Sequence, residues 1–430
     1  MYRRENNEQR IVLGYRWVIF LILAIGYAIV YFHRVAPAVV APELTRSFRI
    51  KGVGLGVLAS AYFYPYAVMQ LPSGLLSDSF GPRKTVTAFT LVAAVGAILF
   101  GISSTFFAAI LGRIMVGLGV SVLFIPTLKI LANWFEVEKF AIIAGILMAI
   151  GGLGWLSAAT PLVLLTLWLG WRLTFIIIGL VSLVLALLTY LIVRDSPPQL
   201  EVSGIPKAGR TISSSSGEQR LPLLQGVKMV LSEKNFWPLA VWFFCTGGIL
   251  FGFGGLWAGP YLMQVYTLTK AQTGNVLMMI AVGMIIGSPM LSYLSEKVFR
   301  TRKSVLLVSS STLTGIWVLF VFFVDGLSVL LLYGLFFLLG IFASGIVVIG
   351  FTVAKELFPR QIAGTSTGMA NLFPFAGGAL LQPLIGLVLD YSGRSGTIYS
   401  VEAYRLSFVG FLVAAVLALI SVLLIRETHA

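Results

Sequence analysis

The sequence predicts an all-α membrane protein of twelve transmembrane helices in two pseudo-symmetric six-helix bundles. Three observations lead there. Of the 430 residues, 58% are hydrophobic and 11% charged; apolar windows of spanning length recur almost end to end; and short motifs of the first half return in the second at a constant offset. So apolar a composition leaves too little polar surface to cover a soluble globule.

Each window holds about 20 mostly apolar residues, enough for a helix to cross a hydrocarbon layer of about 30 Å. The predicted spans are 15–41, 53–76, 84–104, 106–132, 139–165, 170–193, 236–264, 273–295, 304–324, 328–354, 362–390 and 403–426. Between the sixth and seventh lies "RDSPPQLEVSGIPKAGRTISSSSGEQR", whose Ser, Pro, Gly and charge are linker composition. After it, "LPLLQGVKMVLSEKNFW" spaces its apolar residues as a short helix on the membrane surface does, with Lys228 and Lys234 on other faces. Residues 1–193 are thus expected as one bundle, 194–235 as a cytoplasmic linker with its surface helix, and 236–430 as the second bundle.

A net charge of +14 raises the question of nucleic acid, and its distribution answers it. With the N-terminus inside, cytoplasmic segments hold 20 of the 30 Lys and Arg, external segments 7 and the spans 3. Basic residues favour the cytoplasmic ends of membrane helices, so both termini are expected in the cytoplasm of a cell whose inner membrane holds the chain. Clusters such as Arg3, Arg4, Arg10 and Arg16, or Lys297, Arg300, Arg302 and Lys303, read as orientation signals facing anionic lipid, not as a nucleic-acid surface.

Other classes fall away on composition. The single cysteine, Cys245, excludes an internal disulfide and a multi-cysteine metal site, and two histidines, His33 and His429, offer little to a metal. No GxxxxGK[ST] loop is present, so ATP-driven transport has no support, and neither cofactor nor catalytic carboxylate pair is indicated. "VAPAVVAP" has the small residues of a signal cleavage site, but the first apolar run is too long for a signal peptide and is read as retained.

The repeat is visible in the numbering. "HRVAP" at 33–37 faces "LWAGP" at 256–260, and "WFEVEKFAIIAG" from Trp134 faces "LFPRQIAGTSTG" from Leu357, both at an offset of 223. "GLLSDSFGPRK", Gly74 to Lys84, faces the looser "SYLSEKVFRTRK", Ser292 to Lys303, with one residue inserted.

Here the chain resembles the major facilitator superfamily. Gly74, Leu76, Ser77, Asp78, Gly81, Arg83 and Lys84 fill that family's loop between helices 2 and 3, with Ser79 in place of the usual basic residue and Pro82 in place of the first of the basic run. "RIMVGLGVS", Arg113 to Ser121, is similar to the helix-4 motif of an arginine followed by glycines, and "YFHR" resembles helix 1 of transporters of organic anions and phosphate esters. The resemblance implies alternating access, with Asp78, Arg83 and the echo at Glu296 in gating and Arg113 in helix packing or gating. Helix 5 lacks a clear glycine-proline-glycine-glycine pattern, which disfavours drug–proton antiport.

Candidate chemistry centres on intramembrane charge. No Asp or Glu lies in the middle of a span, whereas Arg34, Arg113 and Lys129 lie within spans. Arg34 is about 27 Å along helix 1 from Arg16 at 1.5 Å per residue, deep enough to need a wet cavity or a partner. A cavity lined by uncompensated cations gains from an anionic ligand. Snorkelling to a headgroup layer is the competing account, most of all for Lys129. His33, the one near-neutral titrating side chain in a span, is the candidate proton carrier, although adjacent helical residues point about 100° apart and need not share a face, and a histidine bonded to a neighbouring helix is the competing account. Tyr31, Tyr62, Tyr66, Trp257 and Tyr261 are candidate pocket walls, and Asn371 and Gln382, with Gln70, candidate hydrogen-bonding groups. Trp257 is the repeat counterpart of Arg34.

The expected function is secondary transport of a small organic anion, coupled to protons or a counter-anion, by a monomer in the lipid bilayer. The rivals are amino-acid or nucleoside uptake on the same fold, and a non-transporting receptor or scaffold.

Overall fold

The computed structural model describes residues 2–197, 223–343, 349–395 and 398–428, almost all of them helical. Among these, ten helices are long and apolar enough to cross a membrane: Gly14–Phe48, Pro82–Ile102, Phe106–Trp134, Glu138–Ser157, Thr160–Ile192, Phe236–Gln264, Lys270–Val298, Arg302–Phe322, Ala363–Tyr391 and Val401–Leu424. The predicted second span is the pair Gly52–Val68 and Pro72–Phe80, bent by 62°. The predicted tenth begins as Val329–Ala343 and resumes at Phe351–Glu356, beyond residues 344–348, which lie outside the described set. Spans are numbered 1 to 12 below in chain order on this basis.

Local sequence explains the interruptions. Pro72 opens the second piece of span 2, where a missing N–H costs nothing at a helix start. Helical residues run on from Thr160 to Ile192, but Gly170 at φ 75°, ψ 157° breaks them, so 160–169 completes span 5 and 171–192 is span 6. A side chain would be strained at that φ, and glycine is not. Span 7 carries a fully buried π-helical stretch, Leu250–Trp257, which the sequence reading did not anticipate. The linker's short helix is present at Leu223–Ser232 and packs near Ile362 and Thr365 at the start of span 11. A two-residue antiparallel hairpin, Arg394–Ser395 with Ile398–Tyr399, joins spans 11 and 12.

Large apolar side chains, among them Phe107, Trp168 and Leu330, stand exposed on the outer surface, as contact with hydrocarbon requires. The interior of the second bundle is aromatic: Phe253, Tyr261, Trp317, Phe320, Phe408 and Phe411 pack ring against ring.

The ends of spans 1 and 12 nearest the chain termini define one face, called terminal here; the opposite face is distal. Toward the distal face the two bundles meet backbone to backbone. A Cβ on Gly386 would lie 2.3 Å from the Gly52 carbonyl oxygen, and one on Gly259 would lie 1.9 Å from that of Ala38, so neither position accepts a side chain. Polar ties accompany this contact. The Asp390 carboxylate accepts from the N–H groups of Gly52 and Val53 and from the Tyr399 hydroxyl at 2.8 Å, and Lys270 pairs with Glu43. Nearer the terminal face the bundles are joined by Asn371, whose Nδ2 donates to Gln70 Oε1 at 2.5 Å.

Candidate functional site

Arg34 lies between the two bundles and is 5% exposed. Its Nη2 donates to the Tyr66 hydroxyl at 2.9 Å. Four rings surround the guanidinium: Tyr31 at 4.4 Å and Tyr66 at 5.1 Å from the first bundle, Phe375 at 5.0 Å and Phe251 at 5.4 Å from the second. Aromatic faces attract a cation but cannot accept all its N–H bonds, and Nε has no hydrogen-bond partner. A buried guanidinium with an unused donor, caged by rings from both bundles, is suited to receiving an anion between them.

Regular helix spacing places a second polar layer beside the cage. Gln70 follows Tyr66 by four residues, and its Nε2 donates to the Tyr66 carbonyl across the bend in span 2. Asn371 precedes Phe375 by four residues on span 11. On span 11 the pair therefore lies about one helical turn, roughly 5–6 Å, from the cage, and on span 2 the same four-residue step crosses the bend.

The other intramembrane cations are committed elsewhere. Arg113 is buried and donates to the carbonyls of His33 at 3.1 Å and Ala59 at 3.4 Å, its guanidinium lying over Tyr62 at 5.0 Å. It ties span 4 to spans 1 and 2. Lys129, expected at the substrate, instead forms an ion pair with Asp78 at 2.5 Å, and both are partly exposed toward the terminal face. Its long stem reaches water more cheaply than it stays in the core.

Several expected pocket residues are packing residues by their contacts. Tyr62 is fully buried, donates to the Val30 carbonyl and separates Arg34 from Arg113. Trp257 donates to the Gln382 carbonyl at 2.9 Å, and Tyr261 donates to the Val324 carbonyl at 2.6 Å within the second bundle's aromatic interior. The apolar wall expected of Trp257 is supplied by Phe251 and Phe375, which sequence reasoning missed. Gln382 donates to the Phe251 carbonyl and leaves a buried Oε1 without a hydrogen-bond partner. His33 points away from the cage: its ring is fully buried beside Phe32 and Phe175, and neither nitrogen has a hydrogen-bond partner.

The family profile described as the Major Facilitator Superfamily matches residues 23–258 and 254–430, nearly the whole chain in two halves. The chain belongs to the Major Facilitator Superfamily. As a member of that superfamily it is a membrane transporter and not an enzyme. It is 24% identical over 411 residues to a Cupriavidus necator protein named "Probable sulfoacetate transporter SauU", covering 92% of this chain and 94% of that one. To a Chlamydia trachomatis protein named "Probable hexose phosphate transport protein" it is 23% identical over 429 residues, covering 94% and 90%. In fold it is similar to a bacterial homologue of the human lysosomal transporter Spinster, solved inward-facing and unoccupied, with a TM-score of 0.69 at 18% identity over 96% and 98% of the two chains.

The superfamily's loop between spans 2 and 3 is held here in an unexpected way. Asp78 pairs with Lys129 and not with Arg83. The start of span 3 is capped by Asp195, which follows span 6 and accepts from the Arg83 N–H at 2.7 Å. The second bundle repeats the arrangement: Glu427, after span 12, accepts from the N–H groups of Arg302 and Lys303 at 3.1 and 3.0 Å. Glu296, the echo of Asp78 in the second half, is exposed, and Arg302 pairs with Glu356 at 3.4 Å. The Arg194-Asp195 and Arg426-Glu427 pairs share an offset of 232, a signal the sequence reading passed over.

Proposed function

We propose that this member of the superfamily is a secondary active transporter that carries a small organic anion by alternating access, driven by protons or by exchange for a counter-anion. The chain then sits in an inner membrane with both termini in the cytoplasm, and the bundles at 1–193 and 236–430 rock about the linker at 194–235. One observation carries the reading: Arg34 is a buried cation at the seam of the two bundles with an unused donor. The names of the relatives, sulfoacetate and hexose phosphate carriers, agree with an anionic cargo. In the gating part of the proposal, the Asp78–Lys129 pair braces the terminal face, with Arg83 at the start of span 3 and Glu296 near the end of span 8.

A thermal-shift screen of the purified protein against organic anions, neutral sugars, amino acids and nucleosides tests it, because a ligand that binds the folded state raises apparent stability. Organic anions should give the largest shifts. Shifts confined to nucleosides or neutral sugars would remove the anion from the account.

A further inference from the structure

We infer that the site takes a substrate with a single strongly anionic group, a carboxylate or sulfonate, and a neutral, hydroxyl-bearing remainder; this rests on the organic-anion reading above. Charge inside the spans is scarce. Among the described residues the cations away from the ends of the spans are Arg34, Arg113 and Lys129, while others such as Arg16, Arg172 and Lys270 lie within a few residues of a span end. Arg113 is spent on two backbone carbonyls inside the first bundle, and Lys129 on Asp78. Lys355, at the end of span 10, is exposed. One guanidinium therefore faces the seam.

Its surroundings forbid a second ligand charge at the same place. Tyr31, Phe251 and Phe375 wall the cage with rings, whose negative faces favour a cation and repel an additional anionic group. A dianion would bury one charge beside Arg34 and leave the other uncompensated, in a region where unpaired charge is heavily penalised.

The next turn supplies the rest of the recognition. Gln70 and Asn371 present amides, each with donors and an acceptor. Amides pair with hydroxyls in either direction and add no net charge. A chain of hydroxylated carbons about one helical turn long, with its carboxylate at Arg34, matches this layout, and because Gln70 and Asn371 belong to different bundles, such a substrate would join them.

Binding of four six-carbon probes to the purified full-length protein at pH 8 tests the count: gluconate with one charge, glucarate with two, glucose 6-phosphate with two, and neutral glucose. Gluconate should bind at least about tenfold more tightly than either dianion, reflecting the cost of the uncompensated charge. Lowering the pH to 5.5 converts the phosphate ester, whose second pKa is about 6, toward its monoanion, and should strengthen its binding while leaving gluconate's nearly unchanged. Dianions binding as tightly as gluconate at pH 8 would overturn the inference and leave the anion site standing. If no anion outbinds glucose, the proposed function falls with it. Hexanoate tests the hydroxyl requirement: wild type should prefer gluconate to hexanoate at least about tenfold, as expected for a site with hydrogen-bonding groups left unpaired by the apolar analogue, and Asn371→Ala should lose most of that preference. Equal binding of the two by wild type would also overturn the inference.

Discussion

Asp390, on the last turn of span 11, accepts a 2.9 Å hydrogen bond from the backbone N–H of Gly52, the first residue of span 2. The same carboxylate takes the Val53 N–H at 2.8 Å, so a helix start in one bundle is capped by a side chain of the other. Separation of the bundles at the distal face must break these bonds. Asp390→Asn keeps one acceptor and removes the charge, and should shift the population away from the distal-closed form. The neighbouring Glu43–Lys270 contact provides the readout. Cys245 is buried and the sole native cysteine, so the Glu43→Cys/Lys270→Cys pair can be joined selectively by a short thiol-specific cross-linker, which spans what two long side chains spanned. Its cross-linking should slow several-fold on adding Asp390→Asn; an unchanged rate would mean the cap does not hold that face shut.

Lys129 and Asp78 form a partly exposed pair, with side chains 31% and 50% accessible, and such pairs contribute about 0–1 kcal/mol to stability. Neutralising either should therefore leave folding and substrate affinity nearly intact and change the turnover rate. The reversed pair, Asp78→Lys with Lys129→Asp, should recover much of the rate lost by each single variant in a vesicle uptake assay. No recovery would show that the two act independently.

Tyr66 holds the Nη2 of Arg34, and a hydrogen bond to a charged group is worth about 1.5–3 kcal/mol. Tyr66→Phe should destabilise the empty protein, and an anion that supplies a new acceptor should make up part of the deficit. The variant is then expected to melt lower than wild type without ligand and to show the larger ligand-induced shift. Equal shifts in the two proteins would place the anion away from Nη2.

His33 lies inside the first bundle between Phe32 and Phe175, on the side of span 1 away from the cage. Uptake into proteoliposomes under an imposed pH gradient should be nearly the same for His33→Gln as for wild type. Loss of accumulation with preserved counterflow would restore the histidine as the proton carrier.

What the sequence disclosed and what it hid follow from the range of the forces involved. Hydropathy acts over a whole window, so the spans could be read closely, down to the break near Gly170 that separates spans 5 and 6. Arg34 stood out because a buried charge is costly wherever it occurs. Its ring partners did not, since nothing along the chain separates Phe251 and Phe375 from the other phenylalanines among 31; only the docking of span 7 and span 11 against span 1 selects them. Lys129 was misassigned because depth along a helix says nothing of which neighbour its stem can reach, and Asp78 is 51 residues away in sequence. The repeat misled at Trp257: the equivalent position in the second bundle spends its indole N–H on the Gln382 carbonyl of span 11 and is not among the rings around Arg34.

The central claim is that Arg34 binds the transported anion. Counterflow of a labelled anion, chosen by the thermal-shift screen, into proteoliposomes preloaded with the same anion tests it most directly, because counterflow needs binding and alternating access but no driving gradient. Arg34→Ala, shown by size-exclusion and melting behaviour to be folded, should reduce counterflow to the level of empty vesicles, and Arg34→Lys should restore little of it because the planar fork of donors is lost. Counterflow by Arg34→Ala at the wild-type rate and with wild-type affinity would contradict the account.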